Sequence, residues 1–319
     1  MMIFDSHMDT PTELLRGRDF FFDGPSQQVD MPKMLRGGVD AAFFALYCSA
    51  ELSPDEATSH ARDMADAVRK IIKASDGILS QAFSPSDIYA NQAEGKISLL
   101  LGMENASPVQ ESFSLVEEFY SMGVRYITLT HNGDNSVADS AAEGKKWGGL
   151  SPFGSQLVAK MNELGIMVDL SHASDKTFWD CIELSQAPVV ATHSCCRSLC
   201  SHRRNLSDEM LRALKDKDGY VGINFYPWFL VDDPLANPPG VKEIVDHIDH
   251  AVSVAGVEHV GIGTDFDGID ITPVGMENIG CLPLVFEEMR RRGYGESEIS
   301  LISGENLLAV FERVVSCSE

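Results

Sequence analysis

Basic residues are scarce in this sequence: 25 Lys and Arg stand against 48 Asp and Glu, a formal net charge of −23 over 319 residues. A surface of that sign repels phosphate backbones and anionic lipid, which argues against nucleic acid and membrane partners. Cysteine offers no disulfide framework, because the seven residues are odd in number and scattered along the chain. The opening Met1–Asp5 has no basic segment followed by a long apolar one, and Phe311–Glu319 carries no hydrophobic tail of the kind that precedes a lipid anchor. A reducing, cytoplasmic setting is the expectation. Internal repeats, low-complexity tracts and an interdomain linker are also missing, and Gly261–Gly268 lacks the spacing of a dinucleotide fingerprint.

What is present is a core-forming composition, 44% hydrophobic, arranged as short β-branched runs between longer helical stretches. Strands are predicted at Ile3–Ser6, Ala41–Tyr47, Ile97–Leu101, Tyr126–Thr130, Met167–Leu170, Val189–Ala191, Val221–Asn224 and Val260–Gly263. Helices are predicted at Ser53–Lys73, Ser114–Met122, Phe153–Leu164, Asp175–Ser185, Ser207–Lys215 and Lys242–Ala255, with a closing helix over Glu296–Val315 capped by Ser297. Strands alternating with helices make a parallel sheet, and eight such units make a closed (β/α)8 TIM barrel occupying residues 1–319 as one domain. Leu230–Gly240 reads as an irregular loop after the seventh strand, open to two readings, a wall of the barrel mouth or a plain connector.

Chemistry-bearing residues recur where strands end. His7 and Asp9 follow the first predicted strand, Glu104 the third, His131 the fourth, His172 the fifth, His193 the sixth and Asp265 the eighth. In a barrel those ends converge on one mouth, so residues far apart in sequence would meet. Each alone has an ordinary reading. A His-x-Asp pair is commonly structural, Glu104 suits a helix cap, and His172 and His193 are each explicable as hydrogen-bonded core histidines. Two histidines at consecutive strand ends favour metal ligation. Asp265 is expected in the mouth and Asp267 in the turn into Gly268. Cys195, Cys196 and Cys200 lack structural-zinc spacing, and His60, His202, His247, His250 and His259 are read as surface or supporting residues. The Arg203-Arg204-Asn205 group is open to two readings, a basic loop or a guanidinium fork for a substrate carboxylate.

Taken together, Asp5-Ser6-His7-Met8-Asp9, Gly38-Val39-Asp40-Ala41-Ala42-Phe43-Phe44, Gly123–Asn132, Asp169-Leu170-Ser171-His172, Arg204-Asn205-Leu206-Ser207-Asp208 and Gly263–Gly268 resemble the renal (membrane) dipeptidases, peptidase family M19 of the amidohydrolase superfamily. The resemblance runs over essentially the whole chain. It implies His7 and Asp9 on one zinc ion, His172 and His193 on a second, and Glu104 bridging the two. It further implies substrate contacts from His131 and Arg204, proton transfer by Asp265, and a homodimer, as relatives often form. A dipeptide would be cleaved by a hydroxide between the ions, with His131 and metal stabilising the oxyanion. Arg204 would select a free C-terminal carboxylate. Many relatives have Asn-Asp where this chain has Met8-Asp9, and a glycine pair where it has Asn105-Ala106; both positions are expected to line the mouth and bear on substrate preference. The rival readings are hydrolysis of a lactone, cyclic amide or phosphotriester, a mononuclear hydrolase or deaminase, and a catalytically inactive binding barrel.

Overall fold

The computed structural model describes residues 1–142 and 145–318. Its strands are β1 (Phe4–Met8), β2 (Ala41–Tyr47), β3 (Leu79–Gln81), β4 (Ile97–Glu104), β5 (Val124–Thr128), β6 (Met167–Asp169), β7 (Val189–Ser194), β8 (Tyr220–Ile223) and β9 (Val260–Ile262). Its helices are α1 (Thr10–Leu15), α2 (Met31–Gly37), α3 (Pro54–Ala74), α4 (Pro85–Ala93), α5 (Phe113–Met122), α6 (Pro152–Leu164), α7 (Asp175–Leu184), α8 (Asp208–Asp216), α9 (Pro227–Leu230), α10 (Val241–Ala255), α11 (Pro283–Arg292), α12 (Glu296–Ser300) and α13 (Asn306–Ser316). All strand pairs are parallel, in the order β1-β2-β4-β5-β6-β7-β8-β9. The ring is nearly closed, joined at the mouth by a bridge between Met8 and Phe266. The fold is a (β/α)8 TIM barrel.

All eight predicted strands are present, with ends displaced by a few residues. The short β3 was not anticipated; it pairs with Ile97–Leu99 of β4, below the stretch of β4 that pairs with β5. Three consecutive residues are too few for a periodicity to show. The expected closing helix is broken into α12 and α13 by a π-helical turn at Leu301–Glu305, and Gly295, not Ser297, is the N-cap. The break lets Gly304 press against β1, where a Cβ would lie 2.8 Å from the Phe4 Cβ.

Side chains alternate between two cores. Ala42, Phe44 and Leu46 of β2 face the helices, whereas Ala41 and Phe43 face the interior with Phe4, Leu100, Tyr126, Met167 and Tyr220. The interior is filled by complementary sizes: a Cβ on Gly102 would stand 2.0 Å from the Tyr126 ring, and one on Gly261 would stand 2.4 Å from the Tyr220 hydroxyl. Glycine is there for space, so that each tyrosine crosses the barrel.

Two irregularities break the alternation where it matters. In the β1–β2 ladder, Asp5 pairs with Ala42 but Met8 with Phe44, so β1 holds one extra residue. In the β7–β8 ladder, Ala191 pairs with Val221 but Ser194 with Ile223, so β7 also holds one extra residue. Such bulges re-aim a side chain. They let Ser6 and His7, and likewise Thr192 and His193, turn inward as neighbours, which a regular strand forbids.

Candidate metal centre

The residues expected at strand ends do converge, although His7, Glu104 and His193 lie within the final residues of β1, β4 and β7 rather than beyond them. Glu104 sits at the centre, 3% exposed. Its Oε1 is 3.0 Å from His172 Nε2 and 3.5 Å from His193 Nε2, while its Oε2 is 3.8 Å from His7 Nε2. On the second side His7 Nε2 is 3.4 Å from Asp9 Oδ2 and 3.9 Å from Asp265 Oδ1. The two oxygens of one carboxylate thus face two groups of donors. Three overlapping sets have ligand atoms close enough to share a cation: His7, Glu104 and His193; Glu104, His131 and His172; His7, Asp9 and Asp265.

Hydrogen bonding leaves the inward-facing atoms open. Tyr126 Oη lies 2.8 Å from His7 Nδ1 and Thr192 Oγ1 lies 2.9 Å from His193 Nδ1, so both rings present Nε2 to the mouth. His7 Nε2 and Asp9 Oδ1 are buried without a hydrogen-bond partner. His172 Nε2 and His193 Nε2 face each other at 3.0 Å. Orphaned buried polar atoms are costly, and donors aimed at a common point are what a cation satisfies. Imidazole nitrogen with carboxylate oxygen is a donor set that suits zinc.

Electrostatics agree. Burial holds His172 and His193 well below the ordinary histidine value, keeping them neutral and able to ligate. Burial raises Glu104 well above the usual carboxylate range, and neighbouring Asp9 adds to the effect. Burial also lifts Asp265 to about 7. His7 loses charge to burial, but Glu104, Asp9 and Asp265 outweigh that and its pKa is raised to about 10. Glu104 and Asp265, both raised and both facing the Arg204 guanidinium, favour protons that a cation would replace.

The centre forms the floor of a cavity of about 630 Å³ whose lining includes Tyr47, His131, Arg204, Tyr226 and Phe229. His131 is half-buried, its ring edge-on to Tyr47 at 4.8 Å, and burial lowers it to about 4. Arg204 is 5% exposed, lies over the Phe229 ring and donates from Nη2 to the His193 carbonyl; its Nε and Nη1 have no partner. Asp265 accepts from Asn224 Nδ2 at 2.8 Å through Oδ2, leaving Oδ1 toward His7. Asp267 also lines the cavity, yet its carboxylate is taken by Arg18 and Thr10. Gly268 packs on both acids that matter: a Cβ there would stand 2.1 Å from Asp9 Oδ2 and 2.7 Å from Asp265 Oδ1.

Three expectations are corrected. Met8 is buried between β1 and the helices, and Asn105 and Ala106 are buried behind the mouth, so none lines the cavity. Asn105 occupies the left-handed region (φ 76°) with its side chain bonded to the Cys48 carbonyl, Ser107 and Asn135, which explains how it replaces a glycine. Leu230–Gly240 is absent from the lining of this cavity, in keeping with the connector reading, and Tyr226 and Phe229, around α9, form that wall. The sequence does not point to Tyr126, which reaches His7 from β5 across the barrel, or to Asn224, which stands just past β8 beside the segment carrying Asp265.

Fold and site together define a metal-dependent hydrolase of the amidohydrolase barrel type. The chain matches the membrane dipeptidase family, peptidase family M19, over residues 1–319, and it belongs to that family. It is 35% identical to an uncharacterized dipeptidase of Schizosaccharomyces pombe over 98% of this chain and 80% of that one. It is 35% identical to dipeptidase aclJ of Aspergillus oryzae over 90% of this chain and 70% of that one. Among solved structures, a metallo peptidase from Rhodobacter sphaeroides, liganded with a phosphinate mimic of the dipeptide L-Ala-D-Ala, superposes with a TM-score of 0.92 at 28% identity, covering 98% and 99% of the two chains. The probable dipeptidase PvdM from Pseudomonas aeruginosa gives a TM-score of 0.93 at 27% identity, covering 99% and 96%. The chain is accordingly an enzyme, a metallo-dipeptidase.

Because burial of His7 is outweighed by neighbouring carboxylates, which raise it to about 10, and burial raises Asp265 to about 7 in the metal-free chain, a cation bound there must displace their protons. Affinity should therefore fall as pH falls, by about tenfold per pH unit for each proton displaced. Competition against a chromophoric chelator at pH 6.5 and 7.5 measures this; an affinity indifferent to pH contradicts the picture.

Proposed function

We propose that the chain hydrolyses free dipeptides with two zinc ions, tolerating a D-residue at the C-terminal position. The observation that carries this reading is the cavity's polarity: a buried, under-bonded guanidinium stands beside the imidazole–carboxylate cluster. A free dipeptide offers the matching pair, a carboxylate and, one residue away, a scissile carbonyl. The phosphinate mimic of L-Ala-D-Ala bound by the Rhodobacter relative supports both the substrate class and the D-residue.

The residues fit a pair of cations. His7 and Asp9 would hold one, His172 and His193 the other, and Glu104 both, as its two oxygens face the two groups. Bound, zinc supplies positive charge at the scissile carbonyl and a water acidic enough to yield hydroxide near neutral pH. Arg204 fixes the substrate by a charge-assisted pair to its α-carboxylate, which sets the peptide bond over the centre. His131, neutral at working pH, offers a ring N–H to the carbonyl oxygen as negative charge develops there. Asp265 Oδ1 accepts the proton of the attacking water and returns it to the leaving amine, while Asn224 keeps the carboxylate aimed.

Arg204→Met should raise KM for free dipeptides far more than it lowers kcat, and amidating the substrate's C-terminus should reproduce the defect in the unaltered enzyme. Blocked dipeptides cleaved as well as free ones would remove Arg204 from this role. L-Ala-D-Ala and L-Ala-L-Ala, assayed side by side, test the stereochemical part.

Asp265→Asn should retain both zinc ions and lower kcat by roughly 10²- to 10⁴-fold, the range for a positioned acid–base group. Asp267→Asn should spare most turnover and act on stability, because it weakens the ion pair with Arg18. The reverse ranking, in variants whose metal content has been checked, would assign the proton transfer to the wrong aspartate.

A further inference from the structure

Asp169, at the end of β6, is fully buried and does not line the cavity over the metal centre, yet its carboxylate accepts five hydrogen bonds. Its Oδ1 accepts from Ser171 N at 3.2 Å, Ser171 Oγ at 2.7 Å and Thr192 N at 2.9 Å. Its Oδ2 accepts from Thr128 Oγ1 at 2.6 Å and Thr192 Oγ1 at 2.7 Å. Five donors exceed what holding one strand end requires. Four of them come from two residues, and each of those immediately precedes a histidine of the centre: Ser171 before His172, Thr192 before His193.

We propose that Asp169 is a positioning residue that ties together the two histidine-bearing segments of one metal site, and that Thr192 relays its hydrogen bonding to the His193 ring. The relay follows from donor counting. Every hydrogen-bond neighbour of the Asp169 carboxylate is a donor, and the Thr192 hydroxyl spends its single proton on Oδ2. The Thr192 oxygen is then free only to accept; Ser171 Oγ, 3.2 Å away, gives its own proton to Asp169, which leaves His193 Nδ1 at 2.9 Å as the donor. That nitrogen must carry the ring proton, which leaves Nε2 with its lone pair toward Glu104 and His172. A carboxylate that fixes the tautomer and raises the basicity of a ligating histidine is a recurrent supporting device. Here a hydroxyl is inserted between the two. Ser171 completes the arrangement: its hydroxyl donates to Asp169 and accepts from His193 N at 3.1 Å, so the two histidine-bearing segments are tied through one acid.

This inference rests on the two-zinc reading, and its test separates the two. Zinc titration of the unaltered chain against a chromophoric chelator measures the number of ions; the ratio between variant and unaltered chain measures the relay. Thr192→Val keeps the side-chain shape and removes the hydroxyl. It should weaken one zinc ion by about 10- to 100-fold and leave the other unchanged, with KM for a dipeptide preserved at saturating zinc. Thr192→Ser should restore the affinity. Thr128→Val serves as the structural comparison, since it deletes an equivalent bond to Asp169 Oδ2 that leads to no histidine. Long-range nitrogen–proton NMR on the imidazoles should show a protonated Nδ1 on His193 in the unaltered chain. Unchanged zinc affinity in Thr192→Val, an equal loss in Thr128→Val, or a proton on His193 Nε2 would each overturn the relay.

Discussion

Asp9, Glu104 and Asp265 are brought from separate strands to within reach of the same imidazole, His7, in a place almost closed to water. Burying one unpaired carboxylate is costly, and burying three together is tolerated only if protons, cations or a guanidinium neutralise them. Burial first, and then the neighbouring Asp9, raise both Glu104 and Asp265 in the metal-free chain. The donor geometry, the neutral histidines and the placement of Arg204 all answer the same demand for positive charge.

Meeting it requires a barrel that departs from regularity at chosen points. The extra residue in β1 aims His7 inward beside Ser6, and the extra residue in β7 aims His193 inward beside Thr192. Space beneath them is made by glycine: Gly102 admits the Tyr126 ring, whose hydroxyl then reaches His7, and Gly268 leaves room for Asp9 beside Asp265. Packing and chemistry share residues here, because a side chain that fills the interior also orients a ligand.

Much of this was legible before any coordinates. Strand and helix alternation predicts the barrel, and polar residues at successive strand ends predict the convergence of His7, Asp9, Glu104, His131, His172, His193 and Asp265. The turn at Gly268 favours Asp265 over Asp267 in the sequence, and in the structure the Asp267 carboxylate is bonded to Arg18 and Thr10. What stayed hidden depends on long-range register. A bulge is invisible without its partner strand, so neither β1 nor β7 betrays its extra residue. The roles of Tyr126, Asn224 and Asp169 arise from contacts 119, 41 and 23 residues away. Expected lining by Met8, Asn105 and Ala106 failed because proximity in sequence to a ligand does not fix which side of the backbone a side chain takes.

The central claim is that Glu104 joins two metal sites in one catalytic centre. Zinc content and dipeptide turnover measured on the same preparations of unaltered chain and Glu104→Gln test it most directly. The account predicts about two ions per unaltered chain, with weakened binding of both ions and loss of turnover together in the variant. A single ion at saturating zinc with full activity, or a Glu104→Gln enzyme that binds and cleaves as before, would contradict it.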